Sequence, residues 1–116
     1  MTAFFAVALA LAAATPATAQ TRDFTLINAT GKAVSEVYVS ASATDDWEED
    51  VLGVDTLDPG QRVNISFPGT TKACLHDLKL VHSNGDTAEW TSINLCEVSV
   101  VSARYDKKGD PIADTE

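Results

Sequence analysis

The densest concentration of reactive side chains in this sequence is the run Asp45-Asp46-Trp47-Glu48-Glu49-Asp50, where five of six residues are carboxylates. Carboxylates crowded in this way repel one another. A hard cation such as Ca²⁺ relieves the repulsion by accepting roughly six to eight oxygen ligands. Asp45, Asp46, Glu49 and Asp50 are the expected ligands of such a site, and a basic protein surface is the other partner that this much negative charge would suit. The spacing does not follow the Asp-x-[Asp/Asn]-x-[Asp/Asn]-Gly order of an EF-hand loop. The competing expectation is a solvated loop in which Trp47, Val51, Leu52 and Leu57 fix the backbone to the core while the acids face water.

Other chemistries find less material. With strict alternation Cys74, His76, Leu78, Leu80 and His82 share one strand face, and six residues at about 3.3 Å each hold the two imidazoles about 20 Å apart. That is too far to share a metal or a proton. His76 beside Cys74 could join Cys96 in a soft-metal site only with both thiols reduced. The ordinary expectation for either histidine is a partly buried, hydrogen-bonded ring. There is no Gly-x-Ser-x-Gly elbow, no His-Glu-x-x-His and no glycine-rich phosphate loop. Exposed loop carboxylates also lack the burial that raises the pKa of a general acid. The chain is therefore expected not to be an enzyme.

The elements that would position these residues are strands. Phe24–Asn28 reads as the first, closed by Asn28-Ala29-Thr30-Gly31, and 34–42 as the second, with Val37, Val39 and Ala41 on one face. The acidic stretch from Thr44 ends at the turn Asp58-Pro59-Gly60. A third strand runs over 62–68 with Val63, Ile65 and Phe67 inward. A fourth over 73–83 meets a fifth over 87–93 through Asn84-Gly85, a type I′ hairpin signal. A long sixth strand over 95–105 carries a bulge where its apolar phase shifts between Val100 and Val101. Strands at intervals of about ten residues, joined by tight turns, imply an all-β fold: a small antiparallel β-sandwich of six to seven strands.

The ends are of different character. Ala3 to Ala14 is an unbroken apolar run, shorter than the roughly 20 residues needed to span a bilayer. Thr15-Pro16 breaks it, and Ala17-Thr18-Ala19 supplies a small-x-small cleavage pattern. Residues 1–19 are thus expected to be a signal peptide, 20–105 the sandwich domain, and 106–116 a polar, frayed tail. No Lys or Arg opens the apolar run, so its leading positive charge is the Met1 α-amino group or lies upstream of it. All charged residues fall beyond Ala19, so the mature part carries the whole formal charge of −9. That field repels phosphate backbones and anionic lipid, which argues against nucleic acid and membrane surfaces as partners. Solubility alone is the simpler use of the same charge. In an exported chain the lone pair Cys74 and Cys96 is most economically one disulfide. Its loop of about 22 residues would contribute roughly 3 kcal/mol.

Four segments recur together: Ile27-Asn28-Ala29-Thr30-Gly31 with Val37-Tyr38-Val39-Ser40, Trp47-Glu48-Glu49-Asp50-Val51-Leu52-Gly53, Cys74-Leu75-His76-Asp77-Leu78-Lys79, and Ile93-Asn94-Leu95-Cys96. In this combination the chain resembles a family of small exported bacterial β-sandwich proteins of unknown function, over about residues 23 to 105. The resemblance implies the sandwich and export, and supplies no activity. Some members carry the name argininosuccinate lyase. Those lyases are large helical cytosolic tetramers, and this chain has neither the length nor the helices. The expectation is a non-enzymatic periplasmic or secreted domain that binds a cation or a basic partner through its acidic loop. The alternatives are an accessory domain without a ligand and a small enzyme of unrecognised type.

Overall fold

The computed structural model describes residues 22–44, 47, 50–66 and 72–116. The expected signal peptide lies outside the described residues, as do Asp45, Asp46 and Glu49. Seven strands follow in order: β1 (Phe24–Asn28), β2 (Val34–Ala41), β3 (Arg62–Ile65), β4 (Leu75–His82), β5 (Thr87–Asn94), β6 (Val100–Tyr105) and β7 (Pro111–Thr115). They form two sheets, one ordered β3-β1-β6-β7 and the other β2-β4-β5. Alternation drives both, because every second residue of a strand faces the same side. Phe24, Leu26, Ile65, Val101 and Ala103 bury the inner face of the first sheet, and Val37, Val39, Leu78, Leu80 and Trp90 that of the second. The all-β sandwich is as expected.

The chain crosses between the sheets at every connection except the β4–β5 and β6–β7 hairpins. That weaving leaves β1 beside β6 in parallel, while all the other pairs are antiparallel. Strands joined by hairpins must be antiparallel, whereas strands far apart in sequence can meet in either sense.

Two further differences concern the C-terminal third. Residues 95–99 do not extend β6. The Asn94 carbonyl accepts from the amides of Glu97 and Val98, turning the chain, and Leu95 is drawn into the core. Residues 106–116 are no frayed tail. Asp106 to Asp110 form the β6–β7 turn, and β7 runs antiparallel to β6 from Pro111 opposite Tyr105 to Thr115 opposite Val101.

The hairpin turns show how glycine is used. At His82 and again at Asp106 the carbonyl accepts from the third residue on and the amide donates to the fourth carbonyl. Gly85 and Gly109 take φ of 92° and 84° to complete the pattern. This is a type I turn closed by a glycine bulge, in place of the expected type I′ turn at Asn84-Gly85, which needs positive φ at both central residues. Asn84 has no such φ; its side chain instead accepts from the Asp86 amide.

Candidate functional site

The acidic segment is tied to the fold by its last members. β2 is an edge strand of its sheet, and an exposed edge invites unwanted pairing. Here the segment covers it. The Val51 amide donates to the Val37 carbonyl, and Val34 and Leu57 exchange both backbone bonds. Asp50 Oδ1 accepts from the Val37 amide at 2.9 Å and from the Leu52 amide at 3.0 Å. An expected ligand thus serves as a backbone cap beside β2. Leu57 is buried, and Val51 and Leu52 pack against the core, as the solvated-loop expectation requires. Trp47 lies elsewhere. It stands over the outer face of the three-stranded sheet, where the Lys79 ammonium is 6.0 Å from its ring centre and 5.9 Å from that of Tyr38. Among the described residues no three His, Cys, Asp or Glu side chains group as metal ligands.

Cys74 and Cys96 are joined, with Cα atoms 5.1 Å apart, linking the entry to β4 with the exit from β5. Both sulfurs are therefore spent, and the soft-metal arrangement with His76 does not form. His76 is buried, its Nδ1 3.3 Å from the Cys74 carbonyl.

His82 is buried too, and its ring is fully used. Nδ1 is 3.2 Å from the Ala33 carbonyl and Nε2 is 2.7 Å from the Tyr105 hydroxyl. A carbonyl only accepts, so Nδ1 carries the proton and Nε2 accepts from Tyr105. Burial, with the Asp86 carboxylate adding to it, pushes the Tyr105 hydroxyl above its ordinary pKa. That keeps the phenol protonated as donor. Trp90 stacks at 5.7 Å from Tyr105 and donates its indole N–H to the Ile112 carbonyl, pinning β5 to β7.

Asp77, on the strand face opposite His76, also has a structural task. The β4–β5 register slips between His76 and Leu78, and opposite the slip Ser92 takes a φ of 57°. The Asp77 carboxylate accepts from the displaced Ser92 amide at 3.0 Å and from the Ser42 hydroxyl at 2.6 Å. Asn28 is spent likewise. Its amide nitrogen donates to the Lys32 and Leu57 carbonyls, and its oxygen accepts from the amide and hydroxyl of Thr30. Its side chain is fully buried.

The described residues also form a concavity. Between β5 and β7 the two sheets part to leave a groove of about 470 Å³. Trp90, Ile93, Val98 and Ala113 line its apolar side, and Glu89 and Glu97 stand among its polar residues. Sequence reasoning missed this groove because its β7 wall was taken for a tail. The Pro111 that starts β7 was the available signal, since proline in a sheet is confined to edges and strand starts.

Fold and cross-link together define a small disulfide-closed β-sandwich. Its architecture is similar to the NMR structure of a protein from Eubacterium rectale, with a TM-score of 0.57 and 16% identity, covering 82% of this chain and 87% of that one. At that identity the likeness concerns the fold alone. No protein-family model and no curated protein matches the chain.

Proposed function

We propose that the chain is exported by a cleaved signal peptide, matures at Gln20 in an oxidising compartment, and acts as a non-enzymatic binding domain for a basic protein partner. The observation that carries this reading is the division of its polar groups. His82, Asp50, Asp77 and Asn28 are occupied in holding backbone and strands together. The other described charged side chains are nearly all half-buried or exposed, and the chain as a whole carries a net −9. A field of that sign raises the local concentration of cationic partners and speeds their encounter.

The pKa directions support the non-enzymatic reading. Tyr38 and Tyr105 are raised chiefly by burial, Arg104 is raised by its hydrogen bond to Asp114, and Asp114 is lowered by the same bond. Each moves away from neutrality, whereas a general acid or base is tuned toward it. The Cys74–Cys96 bridge suits an oxidising compartment. Among the described residues no helix is long and apolar enough to cross a membrane.

The test is binding of the mature domain to a lysine-rich protein probe, histone H1, across a salt series. The expected result is binding that weakens steeply as salt rises through the range where the Debye length falls to about 8 Å. Absence of binding at low salt would remove the basic partner, and cleavage or chemical change of a substrate by the purified domain would remove the non-enzymatic reading.

A further inference from the structure

The β5–β7 groove has a property beyond its shape: its β7 wall is an unpaired strand edge. Val100 and Glu116 exchange both backbone bonds, and at the other end of the ladder the Asp106 amide donates to Asp110. In an antiparallel pair, bonded and non-bonded partners alternate. The pairs Val101–Thr115 and Ala103–Ala113 are therefore the non-bonded ones, whose amides and carbonyls point away from each other. On the β6 side they point to β1, as the bond from the Ala29 amide to the Ala103 carbonyl confirms. On the β7 side the amides and carbonyls of Ala113 and Thr115 point out of the sheet. β7 ends the order β3-β1-β6-β7, so no described strand receives them.

Those same two residues line the groove. Ala113 lies opposite the fully buried Ala103 and Thr115 opposite Val101, so their side chains face inward while their backbone faces the opening. An added strand on this edge would direct alternate side chains inward against Trp90, Ile93 and Val98. The volume lies within the range of about 300–1,000 Å³ typical of ligand sites. The opposite wall is a poorer template. β5 is bulged at Ser92, and bulges interrupt edge pairing.

Charge selects the occupant. Glu89 and Glu97 are the charged residues of the groove, and no Lys or Arg lines it. A second copy of this chain would bring its own net −9 to a surface of the same sign. We propose that the β7 edge accepts an extended basic segment of a partner protein as an added strand, with small apolar side chains alternating inward. This is β-augmentation: main-chain bonds to Ala113 and Thr115 supply affinity, and the pocket and its glutamates supply selectivity. The proposal rests on the basic-partner reading and adds its location and conformation.

The experiment uses a fluorescein-labelled octapeptide of alternating Lys and Val, with fluorescence anisotropy on the mature domain. A Glu–Val octapeptide is the charge control. Two further peptides carry backbone N-methyl groups on every Val or on every Lys, since only one alternate set of amides faces β7. The protein variants are Thr115→Pro, which removes an outward amide without touching a β6–β7 bond, and the pair Glu89→Lys with Glu97→Lys. Expected results are binding of Lys–Val over Glu–Val, loss of at least about tenfold on N-methylation of one set and not the other, a similar loss in Thr115→Pro, and reversal of charge preference in the double variant.

Equal binding of both N-methylated peptides to the parent protein overturns strand addition while leaving the basic-partner reading intact, and this arm does not depend on any variant folding. Failure of the Lys–Val peptide to bind overturns strand addition too, and the histone H1 series then decides the fate of the broader reading. A dimer in sedimentation that dissociates in Thr115→Pro would assign the edge to a second copy and overturn the proposal.

Discussion

Removing the Asn28 side chain should cost more than any other single polar truncation in the described domain. Asn28 makes four hydrogen bonds at 2.6–3.1 Å: two donated to the Lys32 and Leu57 carbonyls, two accepted from Thr30. It thereby closes the turn that carries the chain from one sheet to the other and holds the end of the acidic segment. Each neutral hydrogen bond contributes about 1 kcal/mol net, and an orphaned buried group costs about 1–3 kcal/mol. The loss is not the full sum. The Leu57 carbonyl keeps its bond from the Val34 amide, and Thr30 still reaches Lys32. Asn28→Ala should therefore destabilise by about 2–3 kcal/mol. Asn28→Asp is the sharper probe, because it points a carboxylate oxygen at two carbonyls. At neutral pH it should be less stable than Asn28→Ala. On acidification through the carboxyl range the gap should close, since a protonated carboxyl again donates. Urea unfolding by circular dichroism at pH 7 and pH 4, with an unchanged slope, measures both. A loss below about 0.5 kcal/mol for Asn28→Ala, or an aspartate variant as stable as the parent at pH 7, would refute the reasoning.

Replacing both Cys74 and Cys96 with Ser should lower stability by about 3 kcal/mol, from a cross-link spanning 22 positions; a thermal melt unchanged from the parent would contradict it. Asp50→Ala should cost about 1–2 kcal/mol through the lost caps on Val37 and Leu52. The cost should be equal with and without millimolar Ca²⁺, and a Ca²⁺-dependent difference would make Asp50 a metal ligand. The raised pKa of Tyr105 contributes stability that is complete below the ordinary tyrosine pKa of about 10 and is lost as pH rises through the folded value. Tyr105→Phe should accordingly flatten part of the alkaline loss of stability, at the expense of the donor to His82.

Strands with strong two-residue alternation were legible from sequence. β1 matches its expected bounds, and β2, β4 and β5 fall within a residue or two, because Val, Leu and aromatic residues alternate with polar ones between clear turns. β7 was not. The segment Pro-Ile-Ala-Asp-Thr is half-exposed on an edge, and its pairing partner supplies what its own pattern lacks. Leu95 and Val98 misled in the opposite sense, since apolar residues in a turn bury as well as those in a strand. Among site residues, the cysteine pair was legible because two thiols allow one intrachain bridge. The backbone-capping task of Asp50 was not legible, because it depends on neighbours that the acidic run does not show. Its bond to the amide two residues on is an Asx turn, a local habit of aspartate that composition alone does not reveal. The tasks of Asp77 and His82 depend on a bulge and on a tyrosine from the other sheet, which are products of the assembled sandwich.

The reading of this surface as one that meets partners outside the cytoplasm is tested most directly by intact mass spectrometry of the protein recovered from the periplasmic or culture fraction, alkylated without reduction. The account predicts a chain beginning at Gln20 with neither cysteine alkylated. A chain retaining Met1 with both cysteines alkylated would contradict it.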